Sequence, residues 1–521
     1  MPASLERRNY QRSTKMKYLH VELPSLHLVW KRSGQEDAVC SVIRTNYPKP
    51  SALQVTAIMR AAGAEVRAVD MKIRKQDTTI PYREFAYEGG TMVASRMGTP
   101  FENVREQIEW ADVVGLSVNP TSWSNIALDF ITYAKRVNPR VHVWVGGTDA
   151  MFRPEFYLRH GVDLVVRGEG ENTARELIAG NTNARGVAKL HNGQLLDTGI
   201  ARGCNLDDSP MQAVDLFASD VPLWNMNIEA NIPPEIPTPI GFLFTTRGCN
   251  QACPFCTTPQ KYGKLRFRSL ENIQTELELL RAHGIHTINI WDDSLASLIR
   301  WGERDHLIAI ARLLRQMGFA YEFSQGMVIS DLWDKENGQP DEQLISELFS
   351  HETKNGRWVG CYGEYFPMEF LQDDDPHNAA AKLMSYDKEL AVMRMILSQG
   401  VRWLTYSCII GRPQDGPHEF DLSARRLNEV TEIIEEYGAK GLPTPFIYSV
   451  FPGTKLWREE SVKLKYSIRE YPELYQLNAT PHGTKHFTPG GLMEAKMRLE
   501  ENILSPTQCK NWWRTGRYQW R

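Results

Sequence analysis

The chain has 521 residues, enough for roughly three or four domains, or fewer if one is a large α/β barrel. It is 42% hydrophobic and 24% charged, and its net charge of −3 gives no indication of a nucleic-acid partner. No apolar run approaches the roughly 18 residues of a membrane span. The basic N-terminal segment also lacks the apolar stretch of a secretory signal. Eight cysteines are too few for a disulfide scaffold, which favours a cytoplasmic protein. Because no membrane span is predicted, we also expect no membrane partner.

Short apolar strands alternate with amphipathic helices over residues 17–180. Strands that are buried on both faces and joined by helical crossovers indicate a parallel, doubly wound (Rossmann-like) sheet. The predicted strands are 18–23, 65–70, 112–118, 142–145 and 163–166, and the predicted helices are 52–62, 124–136 and 172–178. The irregular stretch 81–100, which contains Gly89 and Gly90, is expected to be a loop or lid.

Residues 181–239 lose this periodicity and end in several prolines, which predicts a linker. A second alternation over 240–455 contains six βα repeats, which is typical of a partial (β/α)6 barrel with its chemistry at the strand carboxyl ends. A helix is predicted over 269–283 with Ser269 as its N-cap. Residues 456–521 would form a small C-terminal region that caps the barrel mouth. The predicted barrel strands are 241–246, 287–291, 321–324, 359–362, 403–409 and 445–450.

Three cysteines, Cys249, Cys253 and Cys256, follow the first of these strands in the spacing C-x-x-x-C-x-x-C. One loop with this spacing can supply three thiolates to three irons of a cluster, which leaves the fourth iron open. A structural zinc site would need a fourth ligand from a second CxxC or a His pair. A thioredoxin-type pair would leave Cys249 unexplained. The spacing favours the three-cysteine cluster over both alternatives.

This segment resembles the radical S-adenosylmethionine (SAM) superfamily, whose signature has an aromatic residue before the last cysteine, here Phe255. The resemblance covers roughly residues 239–455. It implies a [4Fe–4S] cluster held by Cys249, Cys253 and Cys256, with SAM chelating the open iron through its amino and carboxylate groups. The cluster would then split SAM to methionine and a 5′-deoxyadenosyl radical. The electron would come from a donor such as flavodoxin or ferredoxin.

The same resemblance implies SAM contacts at the ends of later strands. Asp292 and Asp293 would accept the ammonium protons of SAM, although a helix N-cap is the alternative interpretation. The turn at Gly411 resembles a Gly-Pro turn of the family, but Asp415 stands where Glu is more usual. The full set of implied SAM-binding residues is Phe255, Asp292, Asp293, Ser324, Gly411 and Tyr448.

In the first domain, three blocks of small and polar residues each follow a predicted strand and therefore converge on one edge of the sheet. Bare backbone there lets a bulky cofactor approach, while hydroxyl and N–H groups can hold its phosphate and amides. The order of the blocks resembles cobalamin-binding domains fused in front of radical SAM barrels. The implied contacts are Ser117, Asn119, Thr121, Gly146, Gly147, Thr148, Arg167, Gly168, Glu169 and Gly170.

Two features of this domain argue against other cofactors and ligands. Gly168-x-Gly170 lacks the third glycine and the spaced acidic partner of a dinucleotide fingerprint. The chain also lacks the D-x-H-x-x-G motif that supplies a histidine to cobalt in many cobalamin domains. The lone His27 is better interpreted as a packed or exposed residue. We therefore expect cobalamin without a histidine ligand.

Together these parts resemble the cobalamin-dependent radical SAM enzymes, most of which are methyltransferases. The resemblance implies a C-methyltransferase that moves methyl from SAM via methylcobalamin to a carbon of a small-molecule or natural-product substrate. The sequence assigns no catalytic residue. Candidates to line a pocket for an aromatic or large apolar substrate are Trp358, Tyr362, Tyr365 and Tyr406 and the tail residues Trp512, Trp513, Tyr518 and Trp520. Aromatic residues at strand positions are more often part of the core, which is the alternative interpretation.

Three alternatives remain open. A cyclase or rearrangement enzyme would use the same cofactors without transferring methyl, and a non-catalytic cobalamin or iron–sulfur sensor would not turn over SAM. A non-radical variant would place a carboxylate on the open iron. Glu271 and Glu276 are candidates for that carboxylate, although solvated helix glutamates are the simpler interpretation.

Overall fold

The computed structural model describes residues 15–42, 47, 49–224, 235–368, 384–459 and 462–503. Residues 15–224 contain two sheets and the helices that cover them. The strands are β1 (Lys17–Glu22), β2 (Ser25–Arg32), β3 (Ala38–Val42), β4 (Glu65–Asp70), β5 (Thr79–Tyr87), β6 (Gly90–Met97), β7 (Val113–Ser117), β8 (His142–Gly146), β9 (Leu164–Val166), β10 (Val187–His191) and β11 (Gln194–Asp197). The helices are α1 (Pro50–Ala61), α2 (Arg105–Trp110), α3 (Ser124–Val137), α4 (Thr148–Phe152), α5 (Pro154–Leu158) and α6 (Gly170–Ile178).

The first sheet confirms the predicted doubly wound architecture. Its parallel strands run in the order β4-β1-β7-β8-β9, and each overlaps its predicted range. This is the 2-1-3-4-5 order, whose topological switch point lies between β1 and β7. β7 is buried along its whole length, as expected for a central parallel strand covered by helices on both faces. The carboxyl ends of β1, β7, β8 and β9 therefore form one edge at which a ligand can bind.

The prediction of a loop or lid over residues 81–100 is wrong. β5 and β6 form a hairpin there, and together with β2 and β3 they make an antiparallel sheet in the order β3-β2-β6-β5. Glu88 and Gly89 both have positive φ, which allows a tight turn between the two strands. The pair Gly89 and Gly90 therefore belongs to a hairpin turn and not to a long loop. Phe85 and Tyr87 are buried on one face of β5, so an apolar face drives the strand pairing.

His27 lies within β2, opposite Ser95 of β6 and Val42 of β3. It is half-buried on the antiparallel sheet. This position agrees with its interpretation as a packed or exposed residue.

Within residues 181–239, interpreted from the sequence as a linker, β10 and β11 extend the first sheet as an antiparallel hairpin. Val187 is fully buried where β10 pairs with β9. Residues 225–234, which include Pro233 and Pro234 of the proline-rich end, lie outside the described residues.

The second half contains a larger parallel sheet and its helices. The strands are β12 (Ile240–Leu243), β13 (Thr246–Arg247), β14 (Arg266–Phe267), β15 (Thr287–Ile290), β16 (Ala320–Phe323), β17 (Trp333–Asp334), β18 (Gln339–Pro340), β19 (His351–Lys354), β20 (Arg357–Pro367), β21 (Trp403–Ile410) and β22 (Lys440–Ile447). The helices are α7 (Thr258–Tyr262), α8 (Leu270–Ala282), α9 (Ser297–Arg300), α10 (Arg304–Gln316), α11 (Glu342–Phe349), α12 (Tyr386–Ser398), α13 (Pro417–Glu436), α14 (Lys455–Glu459) and α15 (Pro489–Ile503).

Six strands of this half, β12-β15-β16-β20-β21-β22, pair in parallel and in sequence order. The ladder ends at β12 and β22, so the barrel is open, as predicted. Ser269 caps α8 by accepting a hydrogen bond from the Asn272 N–H at 3.2 Å, which confirms the predicted helix start. The carboxyl ends of the six strands form the barrel mouth.

The described part of the C-terminal region packs against the antiparallel sheet of the first half. The Tyr87 hydroxyl donates to the Thr480 carbonyl at 2.9 Å. The fully buried Glu473 accepts from Arg83 at 3.0 Å and from Asn125 at 2.7 Å. Residues 504–521, with Trp512, Trp513, Tyr518 and Trp520, lie outside the described residues. Within the described ranges, no helix combines the length and apolar character needed to cross a bilayer.

Candidate functional site

The three signature cysteines lie in one loop at the barrel mouth, between β13 and α7; we call residues 248–257 the cluster loop. Cys249 and Cys253 are buried and Cys256 is half-buried. Backbone N–H groups point at two of the sulfurs: Gln251 N lies 3.4 Å from Cys249 Sγ, and Thr258 N lies 3.4 Å from Cys256 Sγ. Such N–H groups stabilise thiolates, which are the form that ligates iron.

The arrangement of ligands fits a cluster better than a single metal ion. No three His, Cys, Asp or Glu side chains among the described residues are grouped closely enough to hold one ion together. The thiolates of a cubane cluster each bind a different iron, so they do not need to converge on one point. Three thiols on one short loop, two of them facing N–H donors, are a donor set that fits the [4Fe–4S] group.

Asp292 and Asp293 directly follow β15. Asp292 accepts hydrogen bonds from the backbone at the start of β13, and Asp293 accepts one from the cluster loop. Asp292 is buried and accepts from the N–H groups of Thr245 at 2.7 Å and Thr246 at 2.9 Å. Burial raises the pKa of Asp292 to about 6 despite these hydrogen bonds. Asp293 is exposed and accepts from Gly248 N at 3.0 Å. Of the two predicted SAM contacts, Asp293 is therefore the one that solvent can reach.

Of the other predicted SAM contacts, Ser324, Gly411 and Tyr448 directly follow their strands, and Phe255 lies in the cluster loop. The Phe255 and Tyr448 rings meet edge to face with centroids 6.1 Å apart, which joins the cluster loop to the end of β22. The Ser324 hydroxyl donates to the Ile290 carbonyl at 3.1 Å. Gly411 has a φ of 79° and donates its N–H to Asp415 at 3.0 Å. Asp415, the departure from the family pattern, thus closes the same turn.

A second candidate site lies at the carboxyl edge of the first sheet. A pocket that is open to solvent is bounded by the strands and by α1 and α6. Five of the predicted cobalamin contacts line it, namely Ser117 and the glycines Gly146, Gly147, Gly168 and Gly170; we call these four glycines the glycine edge. Its other walls are mostly apolar and include Ile58 and Leu177.

The glycine edge leaves backbone bare for a bulky ligand. Gly147 has a φ of 93°, and a Cβ there would lie 2.5 Å from the Val118 carbonyl oxygen, so the neighbouring backbone itself requires glycine at this position. At Gly170 a Cβ would meet nothing within 4 Å, so the space beside it belongs to the pocket. An open pocket with glycine backbone on one side and apolar walls on the other suits one edge of the cobalamin group.

The remaining predicted cobalamin contacts are bound to other parts of the protein. The buried Thr121 donates to Asp149 at 2.6 Å, and Asn119 accepts from Thr148 N at 3.2 Å. Arg167 donates to the Met151 carbonyl at 2.8 Å and pairs with Asp197.

Glu169 is buried, and its carboxylate contacts Arg247 and Arg266 of the barrel half. No local sequence pattern predicts this contact, because the partners are far apart along the chain.

A buried polar chain on β1 was not predicted from the sequence. His20 lines the pocket, and its Nε2 lies 3.2 Å from Glu22 Oε1. Burial raises the pKa of Glu22, but the charges of Lys49 and Lys72 outweigh it and hold the value at about 2. His20 and Glu22 are two residues apart on a strand, so both side chains lie on one face. This spacing is the sequence feature from which the contact could be predicted.

A second unpredicted polar group lies inside the barrel. The Tyr362 hydroxyl lies 3.0 Å from Asn289 Oδ1 and 3.2 Å from Glu322 Oε2. Burial raises the pKa of Glu322 to about 7. The signal was a single carboxylate within the otherwise uncharged strand β16.

The structure also places the candidate carboxylates for the open iron and the candidate aromatic residues of a substrate pocket. Glu276 is buried and pairs with Arg268, while Glu271 is exposed at the start of α8, as expected for a solvated helix glutamate. Of the aromatic candidates, Trp358, Tyr362 and Tyr406 are buried. Tyr365 is half-buried, and its hydroxyl lies 2.6 Å from Ser407 Oγ.

Comparison with known proteins matches two family models to this chain. Residues 36–178 match the B12 binding domain, and residues 243–329 match the Radical SAM superfamily. An uncharacterized methyltransferase of Pyrococcus horikoshii is 24% identical over 410 residues, which are 75% of this chain and 76% of that relative. Cytidylyl-2-hydroxyethylphosphonate methyltransferase of Streptomyces wedmorensis is 28% identical over 263 residues, which are 45% of this chain and 47% of that enzyme.

The fold as a whole is similar to a solved structure. That structure is the radical S-adenosylmethionine methyltransferase TsrM from Kitasatospora setae, with cobalamin and a [4Fe–4S] cluster bound. The TM-score is 0.59 at 14% identity, and the match covers 95% of this chain and 92% of TsrM. A second TsrM structure, with its tryptophan substrate and a SAM analogue bound, gives a TM-score of 0.58 at 14% identity and covers 94% of this chain and 89% of that one.

Proposed function

Because this chain is a radical SAM enzyme with a B12 binding domain in front of its barrel, we propose that it is a C-methyltransferase. It moves a methyl group from SAM to a carbon of a small-molecule substrate, with cobalamin as the carrier. The observation that carries the proposal is the contact between the two candidate sites. Glu169, which lies between two glycines of the cobalamin pocket, contacts Arg247, which lies two residues before Cys249. Both cofactors would thus serve one substrate.

We assign the cluster to Cys249, Cys253 and Cys256. When bound, the cluster supplies one electron to SAM, and cobalamin supplies the methyl group. Asp293 accepts hydrogen bonds from the ammonium group of SAM, because its carboxylate is exposed beside the cluster loop. Ser324 and Gly411 lie at strand ends that face the same mouth, and Phe255 and Tyr448 form an apolar wall there.

We assign cobalamin to the pocket of the first sheet. The glycine edge lets the cofactor approach the backbone, and Ser117 offers a hydroxyl at the same edge. Asn119 and Thr148 lie beside Ser117 and fix the turn after β7 through their own hydrogen bond. Thr121, Arg167 and Glu169 support this edge through their protein contacts. The cobalt needs no histidine ligand in this assignment.

The substrate class that we favour is an aromatic natural product or its precursor. TsrM, whose fold this chain shares, binds tryptophan. Tyr365, half-buried beside Ser407 near the ends of β20 and β21, is a candidate contact for such a ring. The described cysteines form no disulfide bonds with one another, which suits a reducing cytoplasm where flavodoxin or ferredoxin would supply electrons.

The proposal is tested with SAM that carries an isotopic label in its methyl group. The protein is reconstituted without oxygen, loaded with cobalamin, reduced and incubated with the labelled SAM, and the corrinoid is then analysed by mass spectrometry. We expect the label on the corrinoid, and no label on the corrinoid in a sample from which the protein was omitted. Formation of 5′-deoxyadenosine without label on the corrinoid would instead favour a cyclase or rearrangement enzyme. No turnover of SAM at all would favour a sensor.

A further inference from the structure

We infer that Glu169 and Arg247 form a positioning pair that couples occupancy of the cobalamin pocket to the cluster loop. The inference rests on the proposed function, because it assumes that both cofactors bind. It concerns residues 167–170, a block that the sequence assigns to cobalamin contact. The structure gives this block two faces, one toward each cofactor site.

The backbone of the block faces the pocket, whereas the Glu169 side chain faces the barrel. Gly168 and Gly170 line the pocket on either side of Glu169. The Glu169 Oε1 atom lies 3.0 Å from Arg247 Nη1 and 2.8 Å from Arg266 Nη2. Arg247 directly precedes Gly248, the first residue of the cluster loop. A shift of the glycine edge would therefore reach the residue before the cluster loop through the Glu169 side chain.

The carboxylates of Glu169 and Glu171 offset a repulsion between two arginines in β13 and β14, the strands beside the cluster loop. Arg247 and Arg266 lie directly opposite each other in the β13–β14 ladder. Like charges in that position repel and destabilise a two-stranded ladder. Glu169 and Glu171 of the first domain supply the compensating charge, with Glu171 Oε1 2.7 Å from Arg247 Nη1. The charge that compensates these two arginines thus comes from the first domain.

The pair is buried, which makes its geometry strict. The side chain of Glu169 is 3% exposed and that of Arg247 is 16% exposed. Burial raises the pKa of Glu169, but the hydrogen bond from Arg266 and the charge of Arg247 outweigh it and hold the pKa below its ordinary value. A buried ion pair is stable only with good geometry and further hydrogen bonds. Cys204 N provides one to Glu169 Oε2 at 3.2 Å.

The coupling is measured as a ratio of two dissociation constants. Hydroxocobalamin binding is determined by equilibrium dialysis for the cluster-loaded protein and for a cluster-free Cys253→Ala variant. Coupled sites typically change each other's affinity by about 5- to 150-fold. We expect cobalamin to bind the cluster-loaded protein at least about fivefold more tightly. In the Glu169→Gln background we expect a ratio near one, because the neutral amide no longer balances the two arginines.

Two further variants separate positioning from loss of stability. Arg247→Lys keeps the charge but loses the planar fork, so we expect an intermediate ratio. Glu473→Gln removes another buried carboxylate that pairs with an arginine, Arg83, but does not contact the cluster loop, so we expect the ratio of the unmodified protein. An unchanged ratio in Glu169→Gln, or a ratio of one in the unmodified protein, would overturn the inference. Failure of the unmodified protein to bind cobalamin or iron would instead contradict the proposed function.

Discussion

Cys253, the middle thiol of the cluster loop, allows the cluster assignment to be tested at a single atom. We expect Cys253→Ala to abolish the iron–sulfur absorbance near roughly 400 nm, because a cluster cannot be held by two thiolates of this loop. Bound corrinoid should remain, because the pocket of the first sheet does not include this residue. Visible spectra of the reconstituted proteins measure both.

Cys408 provides the matched control for this experiment. It is a fully buried free thiol within β21, away from the cluster loop. Cys408→Ala should therefore keep the iron–sulfur band. Full cluster absorbance in Cys253→Ala would contradict the assignment.

Glu322 gives a prediction about stability and pH. Burial raises its pKa from 4.5 to about 7, so the folded protein binds a proton more tightly than the unfolded chain does. Stability is therefore lost as pH rises between these two values, by up to about 3 kcal/mol. Glu322→Gln mimics the protonated form. Between about pH 5 and about pH 8, the variant protein should therefore lose less stability than the unmodified protein.

Denaturant unfolding of the cofactor-free proteins at the two pH values measures this difference. Glu271→Gln is the control, because Glu271 is an exposed glutamate on α8. It should keep the pH dependence of the unmodified protein. The same pH dependence in Glu322→Gln would show that this carboxylate is ionised in the folded state over the whole range.

At the scale of elements, the start of α6 offers a way to fill the cobalamin pocket without disturbing the fold. Gly170 has no positive φ, and a Cβ there meets nothing within 4 Å. We expect Gly170→Leu to fold, since leucine is a better helix former than glycine. The side chain should occupy the pocket and weaken cobalamin binding at least roughly tenfold, which corresponds to about 1.4 kcal/mol.

Ala179→Leu is the control, because Ala179 is exposed at the other end of α6. Equilibrium dialysis with hydroxocobalamin should give the affinity of the unmodified protein for this variant. Equal affinity in Gly170→Leu would place cobalamin elsewhere.

The same scale shows where sequence reasoning worked and where it failed. The central parallel strands were predicted because burial on both faces produces continuous apolar runs. β22 begins at Lys440, earlier than the predicted start at residue 445, and it contains both Pro443 and Pro445. The strand lies at the end of the ladder, where proline is tolerated. The β5–β6 hairpin was missed because its paired glycines were interpreted as a loop.

At the scale of the whole molecule, the sequence predicts a candidate site in each half of the chain but not the contact between the two sites. Local spacing identifies the cluster loop, and strand-end glycines identify the pocket edge. The Glu169–Arg247 contact joins residues 78 positions apart, and no local pattern carries that information. The Thr121 and Arg167 contacts could not be predicted for the same reason, since their partners depend on how neighbouring elements pack.

The central claim is that one chain holds an iron–sulfur cluster and cobalamin together. It is tested most directly by the metal content of the protein, purified without oxygen and reconstituted with iron, sulfide and cobalamin. Elemental analysis should find about four irons and about one cobalt per chain. Zinc in place of iron, or iron without cobalt, would contradict the account.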